Sequence, residues 1–156
     1  MVSYTGCDSG FGESASKKLS SIGFNVVSAC LTEEGVKRLN GKVRLAIKCD
    51  VTKQNDINRL TKATENLMID RNEGLRLWAV VNNAGIAPLG YFDWTEMEVI
   101  RNTMEVNFFG IVSVSKAMLP LLKKTRNSRI INISSVAGLT SGPLFGPYSG
   151  KFATYS

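Results

Sequence analysis

Short apolar, β-branched runs alternate along this chain with longer stretches in which apolar residues recur every three to four positions. The runs Phe24–Cys30, Val43–Cys49, Leu77–Val81 and Arg129–Ser134 predict strands, with a short first strand at Val2–Tyr4. The stretches Gly10–Ser21, Glu33–Leu39, Lys53–Leu67 and Thr95–Lys123 predict helices. In the last of these, Val99, Met104, Val106, Phe109 and Val112 form the expected apolar stripe. Gly23, Asn40-Gly41 and Gly74 fall at the joints, where turns are needed. Strands alternating with helices predict an α/β fold, a doubly wound parallel sheet with helices on both faces. The near-continuous apolar character of Leu77–Val81 marks it as a central strand.

The 156 residues fit one domain, 1–156, without repeats or low-complexity segments. Its two ends are unusual. The first strand is short against the usual five or six residues, and Arg129–Ser134 would lie at an unprotected sheet edge. The chain also stops a turn or two into an expected helix. Together these features predict the amino-terminal part of a larger domain, incomplete at its C-terminus.

Composition narrows the chemistry. Hydrophobic residues at 44% and charged residues at 21% exclude a disordered or fibrous chain. No apolar run approaches the roughly 18 residues that span a bilayer, and no charged-then-apolar leader opens the sequence, so no membrane segment or anchor is expected. The absence of histidine excludes a Ser-His-Asp triad and an imidazole base, and removes the usual zinc ligand; no metal site is expected. Cys7, Cys30 and Cys49 are odd in number and widely spaced, which predicts reduced thiols in an intracellular, reducing compartment. The net charge of +6 permits anionic partners without requiring one. Lys123, Lys124 and Arg126 follow a long helix, where positive charge complements the dipole, so no nucleic-acid partner is expected. Trp78 and Trp94 are expected in core or pocket wall, and Met97, Met104 and Met118 in packing.

Candidate chemistry gathers at the ends of the strands. Thr5-Gly6-Cys7-Asp8-Ser9-Gly10-Phe11-Gly12 joins the first strand to the first helix, where glycines let backbone N–H groups and the helix N-terminus approach a pyrophosphate. Asp50 ends a strand at the carboxyl edge, where it can contact a nucleotide base beside Val51, cap the next helix, or do both. Asn82-Asn83-Ala84-Gly85 follows the central strand and serves either as a close backbone approach or as a simple turn. Asn107 stands in an apolar helix and must find partners there. Ser134 and Ser135 close the last strand, ahead of Tyr148.

These five motifs, in this order, resemble the short-chain dehydrogenase/reductase family over the whole chain. The wording of Thr5–Gly12, Ala29–Gly35 and Leu119–Leu122 is similar to its retinol and 17β-hydroxysteroid dehydrogenase branch. The resemblance implies one Rossmann-type NAD(P)-binding domain and an oxidoreductase. Such an enzyme moves hydride between a nicotinamide cofactor and a hydrophobic alcohol or ketone of the retinoid or steroid class. It implies cofactor contacts from Thr5, Gly6, Asp8, Ser9, Gly10, Phe11, Gly12, Asp50, Val51, Asn83, Ala84, Gly85, Tyr148 and Lys151. It also implies a catalytic set of Asn107, Ser135, Tyr148 and Lys151, with Ser135 chosen over Ser134 by its 13-residue distance from Tyr148. Relatives in this branch are often held at the endoplasmic reticulum membrane, and a homodimer is open.

A tyrosine base starts from a free pKa of about 10, and bringing it to about 7 takes roughly 4 kcal/mol, which a lysine ammonium and an oxidised nicotinamide can supply. One departure bears on this. The family places three residues between tyrosine and lysine, whereas Tyr148-Ser149-Gly150-Lys151 has two. On a helix that turns the lysine by about 100°. The alternative is therefore a catalytically inactive nucleotide-binding fragment or paralogue. Asp8 and Ser9 in the loop, with Glu33 and Glu34 after the second strand, would repel a 2′-phosphate, so NAD is expected over NADP.

Overall fold

In this computed structural model, residues 1–69, 74–138 and Tyr148 are described. Three strands are buried on both faces: β1 (Val2–Thr5), β2 (Val26–Cys30) and β4 (Ala79–Asn82). β3 (Leu45–Lys48) is partly covered, and β5 (Arg129–Asn132) is exposed along its length. All pair in parallel in the order β3-β2-β1-β4-β5, with Val2 opposite both Val26 and Ala79. The connections are α1 (Gly10–Ser21), α2 (Glu33–Leu39), α3 (Gln54–Ile69), and the pair α4 (Met97–Met104) and α5 (Gly110–Leu122).

Side chains alternate between the two sheet faces, so each central strand sends residues into both halves of the core, with Ser3, Thr5, Ser28 and Asn82 buried among the apolar ones. Val27, Ala29 and Val80 pack on one face with Ile57 and Leu60 of α3 and Val114, Met118 and Leu121 of α5. Val26, Cys30, Ala79 and Val81 pack on the other with Leu39 of α2 and Ala15 and Leu19 of α1. The doubly wound sheet with helices on both faces is therefore as expected. Element boundaries moved by at most two residues, except in the long last helix.

That helix corrects the sequence expectation. Between α4 and α5 lies a π turn, Glu105–Phe109, which inserts a residue into the helical repeat and shifts its phase. The expected stripe fails across it: Val99, Phe109 and Val112 are 38–48% exposed. Thr103, Asn107, Ile111, Val114, Met118 and Leu121 are buried in their place. The continuous Met97–Leu122 stretch, which holds an 18-residue window with a mean hydropathy of 1.3, is also long and apolar enough to cross a membrane by length and composition. That qualifies the expectation from the sequence. Here, however, Val114, Met118, Leu121 and Leu122 lie in the core against the sheet.

Among the described residues β5 forms one edge, with Ile130, Ile131 and, just past the strand, Ile133 about two-fifths exposed, in line with the expected unprotected edge. The functional consequence of the strand order lies at the middle. β1 leads to the sheet's left half and β4 to its right, so their carboxyl ends splay apart and leave a crevice where open α/β sheets take ligands.

Candidate nucleotide-binding site

The floor of the crevice is built from backbone. Thr5, buried at the end of β1, accepts the N–H groups of Asn83 and Ala84 on its hydroxyl at 3.1 and 3.2 Å. The Asn83 amide returns two bonds, to the carbonyls of Thr5 and Gly6 at 3.1 and 3.0 Å. These ties draw the loop after β1 against the exit of β4. Gly6 has a φ of +69°, and a Cβ there would stand 2.7 Å from the Ala84 Cα. A Cβ on Gly12 would stand 2.0 Å from the Gly6 carbonyl oxygen. The glycines are thus required by main-chain contact between three segments. Ser9 is an extended N-cap without a side-chain bond to α1, so the first N–H groups of that helix open on the cleft that Ser9, Phe11 and Gly12 line.

One end of the cleft is set by two carboxylates. Asp8 accepts the Leu31 N–H at 2.6 Å, the Thr32 N–H at 2.8 Å and the Thr32 hydroxyl at 2.7 Å. This clasps the glycine loop to the turn between β2 and α2. Asp50 accepts the Thr52 N–H at 2.9 Å and its hydroxyl at 2.7 Å, both on Oδ1. It therefore closes a turn ahead of α3 while also lining the cleft, and its Oδ2 has no hydrogen-bond partner among the described residues. The Asp50 N–H donates to Asp56 at 3.0 Å, and Asp56 pairs with Arg59 at 2.9 Å.

The Asp50 N–H, and then the Arg59 charge, hold the Asp56 carboxyl below its usual range. A lowered folded pKa contributes stability that is present above the unfolded carboxylate range and lost as pH falls through the folded value. Asp56→Asn should therefore lower Tm at pH 7, and the gap from wild type should close toward pH 3. A gap that is the same at both pH values would show that the bond does not depend on the charge.

The catalytic candidates are placed unevenly. Asn107 is fully buried inside the π turn, where its Oδ1 accepts the Ile86 N–H at 2.8 Å and its Nδ2 donates to the Ile86 carbonyl at 2.7 Å. It thereby fixes the segment after Gly85, and each such bond contributes about 1 kcal/mol net. Gly110 begins α5 tight against Val51, since a Cβ there would meet Val51 Cγ2 at 2.8 Å. Ser135 lies just past β5, half-buried, with its hydroxyl accepting the Ala137 N–H at 3.2 Å, while Ser134 is exposed. Tyr148 is half-buried. Lys151, Ser149 and Gly150 lie outside the described residues, so the Tyr148–Lys151 spacing has no structural counterpart here.

One cleft of about 370 Å³ collects Gly6, Asp8, Ser9, Phe11, Gly12, Asp50, Val51, Asn83, Ala84 and Gly85. Thr5 lies beneath it and Gly10 beside it, neither forming its lining. Leu31, Thr32, Cys49, Ile86 and Val106 also line it and were not picked out as site residues. Of these, Leu31 and Thr32 had a signal, being next to the strand end at which a ribose is sought. The three cysteines are buried and free, and burial pushes Cys7 up to about 11 and Cys30 and Cys49 to about 12. They are protonated packing groups at neutral pH.

A loop in which no Cβ fits at Gly6 or Gly12, an uncapped helix N-terminus and, among the described residues, an unpartnered Asp50 carboxylate oxygen at the switch point of the sheet fit a dinucleotide. The fold thus defines a doubly wound, Rossmann-type α/β domain. Comparison with known proteins makes the class specific: the profile of short chain dehydrogenases matches residues 1–155, and the chain belongs to that family. It is 40% identical over 142 residues to 17-beta-hydroxysteroid dehydrogenase type 6 of Bos taurus, covering 88% of this chain and 43% of that one. It is 40% identical over 143 residues to retinol dehydrogenase 7 of Mus musculus, covering 90% and 44%. Among solved structures, a short-chain dehydrogenase from Streptomyces avermitilis superposes with a TM-score of 0.84 at 27% identity, covering 99% of this chain and 56% of that one. The chain spans less than half the length of the curated relatives it matches.

Proposed function

We propose that this chain carries the dinucleotide site and the catalytic side chains of an NAD-dependent oxidoreductase acting on a hydrophobic alcohol or ketone of the retinoid or steroid class. The observation that carries the proposal is the single cleft at the β1/β4 switch point, which gathers residues from the glycine loop, the Asp50 turn and the Asn83–Gly85 segment. The relatives named for steroid and retinol dehydrogenation support the substrate class. The carboxylate of Asp8 in the cleft supports NAD over NADP.

In this proposal the helix N-terminus at Ser9–Gly12 holds the pyrophosphate and Asp50 Oδ2 accepts from the adenine amino group. Bound NAD would supply the acceptor for the hydride lost from the alcohol carbon. Tyr148 takes the hydroxyl proton, Ser135 donates a hydrogen bond to the substrate oxygen, and the Lys151 charge favours the tyrosinate. Asn107 acts as a positioning residue through Ile86. The exposed Phe109 and Val112 on the long helix support a homodimer.

A second proposal, a nucleotide-binding chain without turnover, is favoured by the two-residue Tyr148–Lys151 spacing. Titration with NADH and NADPH, followed by assay of retinol and hydroxysteroid oxidation, tests both. NADH should bind the more tightly. Turnover, in this chain or in one extended to a relative's full length, supports the enzyme; binding without turnover in either supports the second proposal, and equal affinity for the two nucleotides contradicts the NAD preference.

A further inference from the structure

We propose that Asp8, from the glycine loop, is the residue that selects NAD over NADP in this chain, and that Thr32 and Gly35 are what hold it in place; this rests on the dinucleotide proposal for the cleft. In open sheets of this order, an acid near the end of the second strand meets the ribose 2′-hydroxyl. Here that strand ends in Cys30, which is buried. Glu33 and Glu34 follow, but both are exposed, neither lines the cleft, and Glu33 is paired with Lys48 at 3.4 Å.

The carboxylate that does reach this place comes from across the sheet edge. Asp8 lines the cleft with Leu31 and Thr32 and is clasped by three donors, one on Oδ2 and two on Oδ1. Thr32 is itself fixed as the N-cap of α2, accepting the Gly35 N–H at 3.0 Å. A Cβ on Gly35 would stand 2.6 Å from Asp8 Oδ1 and 3.1 Å from the Asp8 Cα, so the first turn of α2 closes on Asp8 only because residue 35 is glycine.

A carboxylate offers about four acceptor positions, so the one left on Oδ2 is available to a ribose hydroxyl. A 2′-phosphate would instead bring a charge of about −2 against it. A cation already stands beside it, because the Arg38 guanidinium donates to the Asp8 main-chain carbonyl. Removing the Asp8 charge would lift that repulsion, with the Arg38 guanidinium, which also lies 3.8 Å from a Glu13 carboxylate oxygen, close by. The charge of one side chain thus decides which dinucleotide is preferred.

Calorimetric titration with ADP-ribose and 2′-phospho-ADP-ribose tests this at the end of the ligand that discriminates, with no need of turnover. Wild type should bind ADP-ribose the more tightly, and Asp8→Asn should shift the ratio of the two affinities toward the phosphorylated ligand by at least about tenfold. Glu33→Gln and Glu34→Gln should leave the ratio unchanged. Gly35→Ala keeps the charge but displaces it, and should weaken ADP-ribose binding and narrow the ratio; it carries the test should Asp8→Asn fail to fold. An unchanged ratio in Asp8→Asn or Gly35→Ala, or an equal shift in a Glu33 or Glu34 variant, overturns the role of Asp8 while leaving the cleft as a dinucleotide site. A wild type that binds neither ligand overturns the dinucleotide proposal, and this inference with it.

Discussion

Gly12→Val should abolish dinucleotide binding, weakening NADH by at least about 100-fold, near 2.7 kcal/mol. From the sequence, the expected reason is a side chain filling space the phosphates need. The structure supplies a stronger one. The Cβ alone would lie 2.0 Å from the Gly6 carbonyl oxygen and 2.7 Å from the Asn83 amide nitrogen. Neither neighbour can give way cheaply, because Gly6 is itself pressed on Ala84 and Asn83 holds both Thr5 and Gly6. The first turn of α1 must move off the loop, and its N–H groups then no longer converge. Gly12→Ala should therefore already show most of the loss, which a simple bulk argument does not predict. Calorimetry with NADH, alongside a melt to show that the sheet persists, checks this. Full NADH affinity in Gly12→Ala would refute the contact account.

The second large effect concerns Lys151. One residue fewer between Tyr148 and Lys151 turns the ammonium by about 100° and withdraws it by about 1.5 Å along a helix. On such a helix the charge that should stabilise tyrosinate would point elsewhere. The chain as it stands should show little or no NAD-dependent oxidation of retinol or a hydroxysteroid, even where it binds cofactor. Because it spans less than half the length of its curated relatives, the comparison belongs in a chimera that carries the remaining length of one of them. In that chimera, inserting a serine between Gly150 and Lys151 should raise turnover by at least about 100-fold, which is the removal of about 2.7 kcal/mol from the barrier. In the active chimera, Tyr148→Phe and Ser135→Ala should each lower kcat severely, the first by removing the base and the second a hydrogen bond to the substrate oxygen. Equal turnover with and without the inserted serine would show that Lys151 reaches its place by another route.

The fold was legible where local pattern and burial agree. β2 and β4 are buried on both faces, so they need little polar alternation and read as largely apolar runs, whereas the short β1 carries the buried Ser3 and Thr5. The bounds of α1 and α2 follow from the Ser9–Gly10 and Thr32–Glu33 junctions, where an N-cap residue precedes the helix. The long helix was misread because a period of 3.6 cannot be carried through a π turn. A buried asparagine in an apolar stretch was the one sign of that turn in the sequence.

At the site, the loop glycines and the Asn83–Gly85 segment were legible because main-chain contact tolerates few residue types. Thr5 was legible only as a member of the motif; its position beneath the cleft, bonded to the exit of β4, depends on a contact 78 residues away in sequence. The clasp of Asp8 by Leu31 and Thr32 was not legible for the same reason, since β1 and β2 must first be paired before their loops meet.

The most direct test of the central claim is a crystal structure of the protein soaked with NADH. The pyrophosphate should lie against the N-terminus of α1 between Gly6 and Gly12, with the adenosine ribose at Asp8 and the adenine beside Asp50. Dinucleotide bound away from the β1/β4 crevice, or none in the crevice at a saturating concentration, would contradict it.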